Sequence, residues 1–194
     1  MVQKQARCPW AEHGELERAY HDEEWGMPVH DDRHLFEMLN LEGQQAGLSW
    51  STILSKRKSF NAAFADFDPA RLVDFDEDRV NELMQNPGII RHRLKIQAVI
   101  QNARAYTALV ERHGSLDAFL WRYVEGQPVI NAWTEMSQVP ACTKLSDTLC
   151  RDLKKLGFKF VGSTTLYAFM QGVGMVNDHL VSCPCYRRCI EAAG

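Results

Sequence analysis

Apolar residues recur at helical spacing through most of this sequence, and the alternation typical of a half-buried strand is nearly absent. Residues that favour helix N-caps stand where several of these stretches begin. Asp31 or Asp32 can cap a helix that carries Leu35, Phe36 and Leu39. Further helices are predicted to begin at Ser49, at Asp68 with Pro69 behind it, at Ser115 and at Ser146, and a long one carries Ile96, Val99, Ile100, Ala103 and Tyr106. The sequence therefore predicts an all-α fold with many short helices.

Length and composition indicate an ordinary globular protein. The 194 residues are 45% hydrophobic and 24% charged, which predicts one domain over residues 1–194, or two helical lobes with a pocket between them. No apolar run approaches the ~20 residues of a membrane span, so we expect no membrane partner. The first residues lack the apolar segment of a secretory signal, which predicts a cytoplasmic protein. Its six cysteines are then expected to be thiols or metal ligands.

The segment from Leu41 to Trp50 combines one acid with glycines and apolar side chains. Glu42 ends an apolar run, Gly43 and Gly47 follow, and Leu48 lies close to Trp50. One interpretation is a helix C-terminus, a loop and a new helix capped by Ser49. The other is a recognition site for a flat, polar or cationic ring, because an acid beside aromatic surface suits such a ligand.

Cysteine and histidine occur near both ends of the chain. Cys8 and His21 lie in the N-terminal segment, and His179 and Cys183 are four residues apart, a spacing that predicts one helical face. Two Cys and two His form a complete tetrahedral set for a structural zinc, although such residues are also common in protein cores. Cys185 offers an alternative sulfur that could replace Cys183.

Two segments carry local positive charge, which matters because the net charge is −3 and any nucleic-acid binding must rest on a local patch. Residues 153–167 predict two helices joined by a turn at Gly162, where backbone N–H groups can bind an anion. Lys154, Lys155 and Lys159 add charge there, although a helical hairpin with a solvated lysine face is an equally good interpretation. A second basic segment, with Arg91, Arg93, Lys95 and Arg104, is a further candidate for phosphate contacts.

Several segments resemble the bacterial 3-methyladenine DNA glycosylase I family of constitutive alkylation-repair glycosylases. The matching stretches are LEGQQAGLSW at 41–50, CPW at 8–10, AYHDEEWG at 19–26, VNDH at 176–179 with Cys183, and the predicted hairpin. The resemblance implies a helix-hairpin-helix glycosylase fold. It also implies monofunctional hydrolysis of the N-glycosidic bond of 3-methyladenine, after the base has been flipped out of alkylated double-stranded DNA. Free 3-methyladenine is then the product.

The resemblance also implies roles for individual residues. Glu42 would be catalytic, with Trp10, Tyr20 and Trp50 lining the base pocket. Cys8, His21, His179 and Cys183 would hold one structural zinc per chain, which joins the N- and C-terminal segments. The expected DNA contacts are Gly47 and Leu48, as a wedge in the vacated stack, and Lys159, Gly162, Ser163 and Thr164 at the hairpin.

Three further expectations accompany these roles. Glu17 stands where an aromatic residue is expected in the family, which would make the pocket more acidic unless this side chain points to solvent. Asp178 is the nearest candidate for the catalytic aspartate of other hairpin glycosylases, and we expect it to be structural. A glycosylase that tracks along DNA is expected to be a monomer.

Two other functional classes fit the residues. A zinc-stabilised DNA-binding protein without catalysis fits the absence of a hairpin aspartate. A small-molecule enzyme would use Glu42 as a general base in an aromatic pocket. Release of a base from alkylated DNA separates the first from a glycosylase, and salt-dependent DNA affinity separates the second.

Overall fold

A computed structural model describes residues 6–194, and this part of the chain is largely helical. The α-helices are α1 Glu15–Glu23, α2 Asp32–Gln45, α3 Trp50–Ala63, α4 Pro69–Leu72, α5 Glu77–Leu83, α6 Arg93–His113, α7 Leu116–Trp121, α8 Lys144–Lys155, α9 Ser163–Gly172 and α10 Pro184–Ala192. Short 3₁₀ helices lie at Pro9–Glu12, Ala65–Phe67, Arg122–Val124 and Met136–Gln138. Strands β1 (Val129–Ile130) and β2 (Val176–Asn177) form a small parallel sheet, with Val129 opposite Val176.

Most of the predicted helix starts are confirmed by their caps. The side chains of Asp31, Ser49 and Ser115 each accept a hydrogen bond from a backbone N–H three residues further on. Asp68 caps α4, and Pro69 occupies its first position, where a missing N–H costs nothing.

The predicted start of α8 was wrong. Thr143 caps this helix, and Ser146 lies at its third position, where its hydroxyl accepts a hydrogen bond from the Thr143 N–H. The two side chains form a reciprocal capping box. The N-cap therefore lies three residues before the serine that the sequence suggested.

Helix α2 lies at the centre of the fold. It packs against α3, α6, α7 and α9, and its apolar side chains are at most 1% exposed. Those side chains are Leu35, Phe36, Met38, Leu39 and Leu41. Burial of five large apolar groups stabilises the fold by roughly 1.5–3 kcal/mol each, before conformational entropy is subtracted. Because α2 is surrounded, a polar side chain near its C-terminal end is carried into the interior.

Two features have no counterpart in the predicted fold. The small sheet joins the segment after α7 to the segment after α9, and its strands are too short to show alternation. Ala65, Asp66 and Phe67 form a left-handed turn with φ of 52°, 54° and 51°, without a glycine. Among the described helices, none has both the length and the apolar character needed to cross a bilayer.

Candidate functional site

Glu42 lies inside helix α2 and faces the protein interior. The helix ends at Gln45, a short loop follows and Ser49 caps the next helix, which confirms the first of the two interpretations of this segment. Gly43 is therefore helical. Glu42 is 5% exposed, and among the described residues no side chain forms a hydrogen bond or ion pair with it. Burial raises the pKa of its carboxyl to about 8. The acid is therefore largely neutral at pH 7 until a positive charge approaches it.

Glu42 opens into a cavity of ≈ 440 Å³, which we call the acid pocket. Its lining residues are Trp10, Tyr20, Trp25, Glu42, Gln45, Trp50, Met136, Val139, Pro140, Ala141, Thr164, Tyr167, Ala168 and Gln171. The rings of Tyr20 and Trp50 lie 5.3 Å apart, and those of Trp10 and Tyr20 lie 6.4 Å apart. Trp25 is 8% exposed and also reaches this wall. The structure thus brings Glu42 together with all three predicted aromatic residues.

Two polar atoms in the acid pocket are buried without a hydrogen-bond partner among the described residues. They are the Tyr20 hydroxyl and the Trp50 Nε1–H. Burial, followed by the nearby charge of Glu42, raises the pKa of Tyr20 well above its ordinary value, so its hydroxyl keeps its proton. An unpaired buried donor costs about 1–3 kcal/mol. A ligand with a polar edge would recover that cost, whereas an entirely apolar ligand would not.

The sequence did not predict the opposite wall of the acid pocket, and Thr164, expected to contact DNA at the hairpin, is part of that wall. Thr164, Tyr167 and Gln171 lie on one face of α9, at spacings of three and four residues. That periodicity was visible in the sequence. The wall from Met136 to Ala141 belongs to the 3₁₀ helix Met136–Gln138 and the loop after it, and only the fold places it opposite Glu42.

Asp178 joins these two parts of the wall. Its carboxylate accepts hydrogen bonds from Tyr167 (2.7 Å) and Gln171 (2.8 Å) on α9, and from Asn131 (2.7 Å) and Trp133 (2.7 Å) before the loop. The residue is 1% exposed, and its two oxygens are occupied by these four donors. This geometry agrees with the structural role expected for Asp178.

Glu17 is not among the residues that line the acid pocket. Glu17 is partly exposed, and its carboxylate lies over Gly14 at the start of α1. A carboxylate oxygen is 2.7 Å from the position that a Cβ atom would take if Gly14 had a side chain. Of the two expectations for this residue, the structure favours the one in which it faces away from the pocket.

The four predicted metal ligands form one buried group, which we call the Cys/His cluster. Cys8, His21, His179 and Cys183 offer ligand atoms that all lie within 4.8 Å of one another. The Cys183 Sγ is 3.6 Å from His21 Nε2 and 3.7 Å from His179 Nδ1. The predicted helical face for the last two residues was wrong, because His179 lies in a turn and Cys183 caps α10.

The second nitrogen of each histidine has a partner outside the cluster. His21 Nδ1 lies 2.8 Å from the Asp22 carboxylate, which Arg7 holds in turn, and His179 Nε2 lies 2.9 Å from the Trp25 carbonyl oxygen. Such contacts orient an imidazole and fix which nitrogen faces a metal. The thiols of Cys185 and then Cys8 lower the pKa of Cys183, which favours the thiolate that a metal requires.

Cys185 lies beside the Cys/His cluster rather than within it. Its Sγ is 3.9 Å from His21 Nδ1, the nitrogen that faces Asp22 and not Cys183. A replacement of Cys183 by Cys185 would therefore require His21 to offer its other nitrogen. The geometry favours Cys183 as the fourth member.

The α8–α9 hairpin and the turn after α2 lie at the edges of the acid pocket. Gly162 caps α9 without a side-chain hydrogen bond, and Lys154, Lys155 and Lys159 are exposed. The Ser163 hydroxyl donates to Asp147 (2.6 Å), so it is not free for a phosphate. Gly47, with φ of +80°, and Leu48, 38% exposed, form the tip of the other turn.

The second basic segment is only partly available for phosphate contacts. Arg91 and Arg104 are exposed, whereas Arg93 pairs with Glu77. Lys95 is 6% exposed, and its ammonium donates to backbone carbonyl oxygens instead. The interpretation of Lys95 as a surface phosphate contact was therefore wrong.

The described part of the chain is largely helical, and it places a buried acid without a hydrogen-bond partner among those residues in an aromatic pocket. The family described as methyladenine glycosylase matches residues 10–187, and the chain belongs to that family. It is 51% identical over 180 residues to DNA-3-methyladenine glycosylase 1 of Escherichia coli (strain K12), covering 93% of this chain and 96% of that protein.

Solved structures agree with this assignment. A crystal structure of 3-methyladenine DNA glycosylase I superimposes with a TM-score of 0.91 at 52% identity, and covers 93% of this chain and 99% of that one. A structure of a tyrosine-to-phenylalanine variant of 3-methyladenine DNA glycosylase I, in complex with 3-methyladenine, superimposes with a TM-score of 0.89 at 36% identity. It covers 91% of this chain and 95% of that one.

Proposed function

We propose that this protein excises 3-methyladenine from alkylated double-stranded DNA by hydrolysing its N-glycosidic bond. The observation that carries the proposal is the acid pocket, in which Glu42 and two donors without a partner in the described part of the chain surround space for one flat ring. Membership of a family whose characterised relatives are glycosylases favours this enzyme over a non-catalytic DNA-binding protein or a small-molecule enzyme.

The chemistry follows from the charge of the substrate. Methylation at N3 makes the adenine of a nucleotide cationic, so the base can leave as a neutral molecule with the electron pair of its bond to C1′. Positive charge then passes to the sugar, and water adds a hydroxyl group to C1′ and releases one proton. Because the base needs no prior protonation, the protein's main tasks are extraction, orientation and stabilisation of charge.

Glu42 is the residue placed to stabilise that charge. Its buried carboxyl has a pKa of about 8, and a cationic ring in the acid pocket lowers it, so the carboxylate forms when the substrate arrives. Trp10, Tyr20 and Trp50 enclose the ring, and a cation over an aromatic face contributes about 0.5–2 kcal/mol. Normal adenine, which is neutral, would gain neither interaction.

DNA binding is assigned to the two turns beside the acid pocket. The α8–α9 hairpin is proposed as a helix-hairpin-helix element, in which Gly162, Ser163 and Thr164 offer backbone N–H groups to a phosphate and Lys159 adds charge. Leu48, beside the flexible Gly47, is proposed as the wedge that fills the space left by the flipped base.

The Cys/His cluster is proposed to hold one structural zinc. Zinc binds sulfur at about 2.3 Å and nitrogen at about 2.0–2.1 Å. In a tetrahedral site these bond lengths place a ligand sulfur and a ligand nitrogen about 3.5 Å apart. The sulfur–nitrogen distances here are 3.6–3.7 Å. Four protein ligands leave no open position, so this metal would join the chain ends rather than act on substrate.

Base release tests the proposed function directly. Purified protein is incubated with methylated duplex DNA and with the same DNA unmethylated, and free bases are separated by chromatography. We expect 3-methyladenine from the first sample and no adenine from the second. Equal release from both, or none from either, would contradict the proposal.

A further inference from the structure

We propose that Lys95 is a positioning residue that holds the turn carrying Leu48 in the shape needed for DNA. This inference rests on the proposed function. The Lys95 ammonium lies 2.7 Å from the carbonyl oxygen of Gln44 and 2.7 Å from that of Ala46. Both carbonyls lie at the C-terminal end of α2, immediately before Gly47.

The contact between Lys95 and this end of α2 runs in both directions. The Gln44 side-chain amide donates to the Lys95 carbonyl oxygen (3.0 Å), so three hydrogen bonds in all join the first turn of α6 to the C-terminal end of α2. The negative end of the α2 dipole and the carbonyl oxygens of Gln44 and Ala46 together accept the positive charge.

The location of this charge is costly and specific. Lys95 is 6% exposed, and no carboxylate among the described residues pairs with it. Burial lowers its pKa, which shows that the surroundings disfavour the charged form. A leucine or methionine would fill the same space without that cost, but it would leave the carbonyl oxygens of Gln44 and Ala46 without this donor, so the lysine is specific to this helix end.

The turn that Lys95 holds, residues 45–48, lies beside the acid pocket and carries Leu48, the proposed wedge. Gln45 lines the acid pocket, and its side chain donates to the Leu48 carbonyl oxygen (2.5 Å). Gly47 has φ of +80°, and a Cβ there would meet nothing within 4 Å, so the glycine serves backbone shape and not packing. Ser49 then caps α3, whose first residue is Trp50.

These contacts fix an exposed tip from both sides. Without the ammonium, Ala46 loses its carbonyl partner and the 45–48 turn can adopt other backbone shapes. Leu48 would then spend less time in the orientation that enters DNA, while Glu42, Tyr20 and Trp10 keep their places in the acid pocket. Loss of the ammonium should therefore lower activity on DNA without changing the affinity for the free base.

The test compares two readouts in the Lys95→Met variant. One is kcat/KM for base release from methylated duplex DNA, and the other is the Kd of free 3-methyladenine measured by tryptophan fluorescence. We expect kcat/KM to fall at least tenfold and Kd to change less than threefold. Lys58→Met, which removes the same charge from an exposed part of α3, is the matched control and should leave both unchanged.

A double-mutant cycle with Leu48→Ala shows whether Lys95 acts through that side chain. We expect Lys95→Met to cost much less activity in the Leu48→Ala background than in the wild type. Fully additive losses, an unchanged kcat/KM, or equal losses in both readouts would overturn the inference. If Lys95→Met does not fold, Lys95→Gln, which keeps amide donors on a shorter chain, is assessed by the same criteria.

Failure of this inference and failure of the proposed function are distinguishable. If wild-type protein releases no 3-methyladenine, the proposed function is wrong, and the role of Lys95 falls with it. If the wild type is active and the Lys95 variants match it, only the inference about Lys95 is wrong.

Discussion

Replacement of Glu42 by glutamine should stabilise the folded protein at neutral and alkaline pH while it removes base release. The reason is that the carboxyl is buried without a partner among the described residues, so ionisation is penalised in the folded state. Its pKa is about 8 in the fold against 4.5 in the unfolded chain. An acid with a raised folded-state pKa costs nothing below the unfolded value, and an increasing amount as pH rises towards the folded value.

The magnitude follows from the difference between the two pKa values. Each pKa unit corresponds to 1.36 kcal/mol, so the wild type loses about 3 kcal/mol by pH 7 and about 5 kcal/mol above pH 8. Glutamine does not ionise, and its own burial cost does not change with pH. The stability difference between variant and wild type should therefore rise by about 1.4 kcal/mol per pH unit between 4.5 and 8, and then stay constant.

Urea denaturation of both proteins at intervals from pH 4 to pH 9 measures this difference. Glu37→Gln serves as a control, because Glu37 pairs with Arg57 and its loss should destabilise the protein instead. A stability difference between Glu42→Gln and wild type that is the same at every pH would refute the reasoning. So would a difference that falls as pH rises.

Three further predictions concern other parts of the molecule. Cys8→Ser or treatment with a strong chelator should remove about one zinc per chain, which elemental analysis measures. Because the chain ends are then no longer joined, the free energy of unfolding should fall by about 5 kcal/mol, or roughly 10–20 °C in Tm by calorimetry. An unchanged Tm after metal loss would contradict this. Asp178→Asn places an amide among four donors and should cost about 1–3 kcal/mol in urea while weakening free-base binding; unchanged stability and affinity would count against its role in the pocket wall. Leu48→Ala should slow base release from duplex DNA roughly tenfold and leave the affinity for free 3-methyladenine unchanged, and equal rates of release would exclude Leu48 as the wedge.

Local chemistry made much of the helical fold predictable. Caps such as Asp31 and Ser49 act within three residues, so their signals are present in the sequence itself. Thr143 was missed because Ser146 is an equally good cap by type, and only the reciprocal hydrogen bonds decide between them. The left-handed turn at Ala65–Phe67 could not be predicted because it contains no glycine. Tertiary packing imposes its backbone conformation.

The candidate site also has a part that the sequence predicted and a part that only the fold reveals. Glu42 and the three aromatic residues were named from the sequence because they stand in segments that resemble a known family. The wall formed by Met136–Ala141 comes from a short 3₁₀ helix and the loop after it, which only the fold brings opposite α2. Lys95 was misread because its neighbours in sequence are basic, whereas its burial depends on how α6 packs against α2.

Base release from methylated duplex DNA under single-turnover conditions, for wild type and Glu42→Ala with equal zinc content, tests the central claim most directly. The account predicts that the wild type releases 3-methyladenine and that the variant is slower by a factor of about 10²–10³, as expected when a charge-stabilising group is lost. Equal rates in the two proteins, or no release by folded, zinc-loaded wild type, would contradict it.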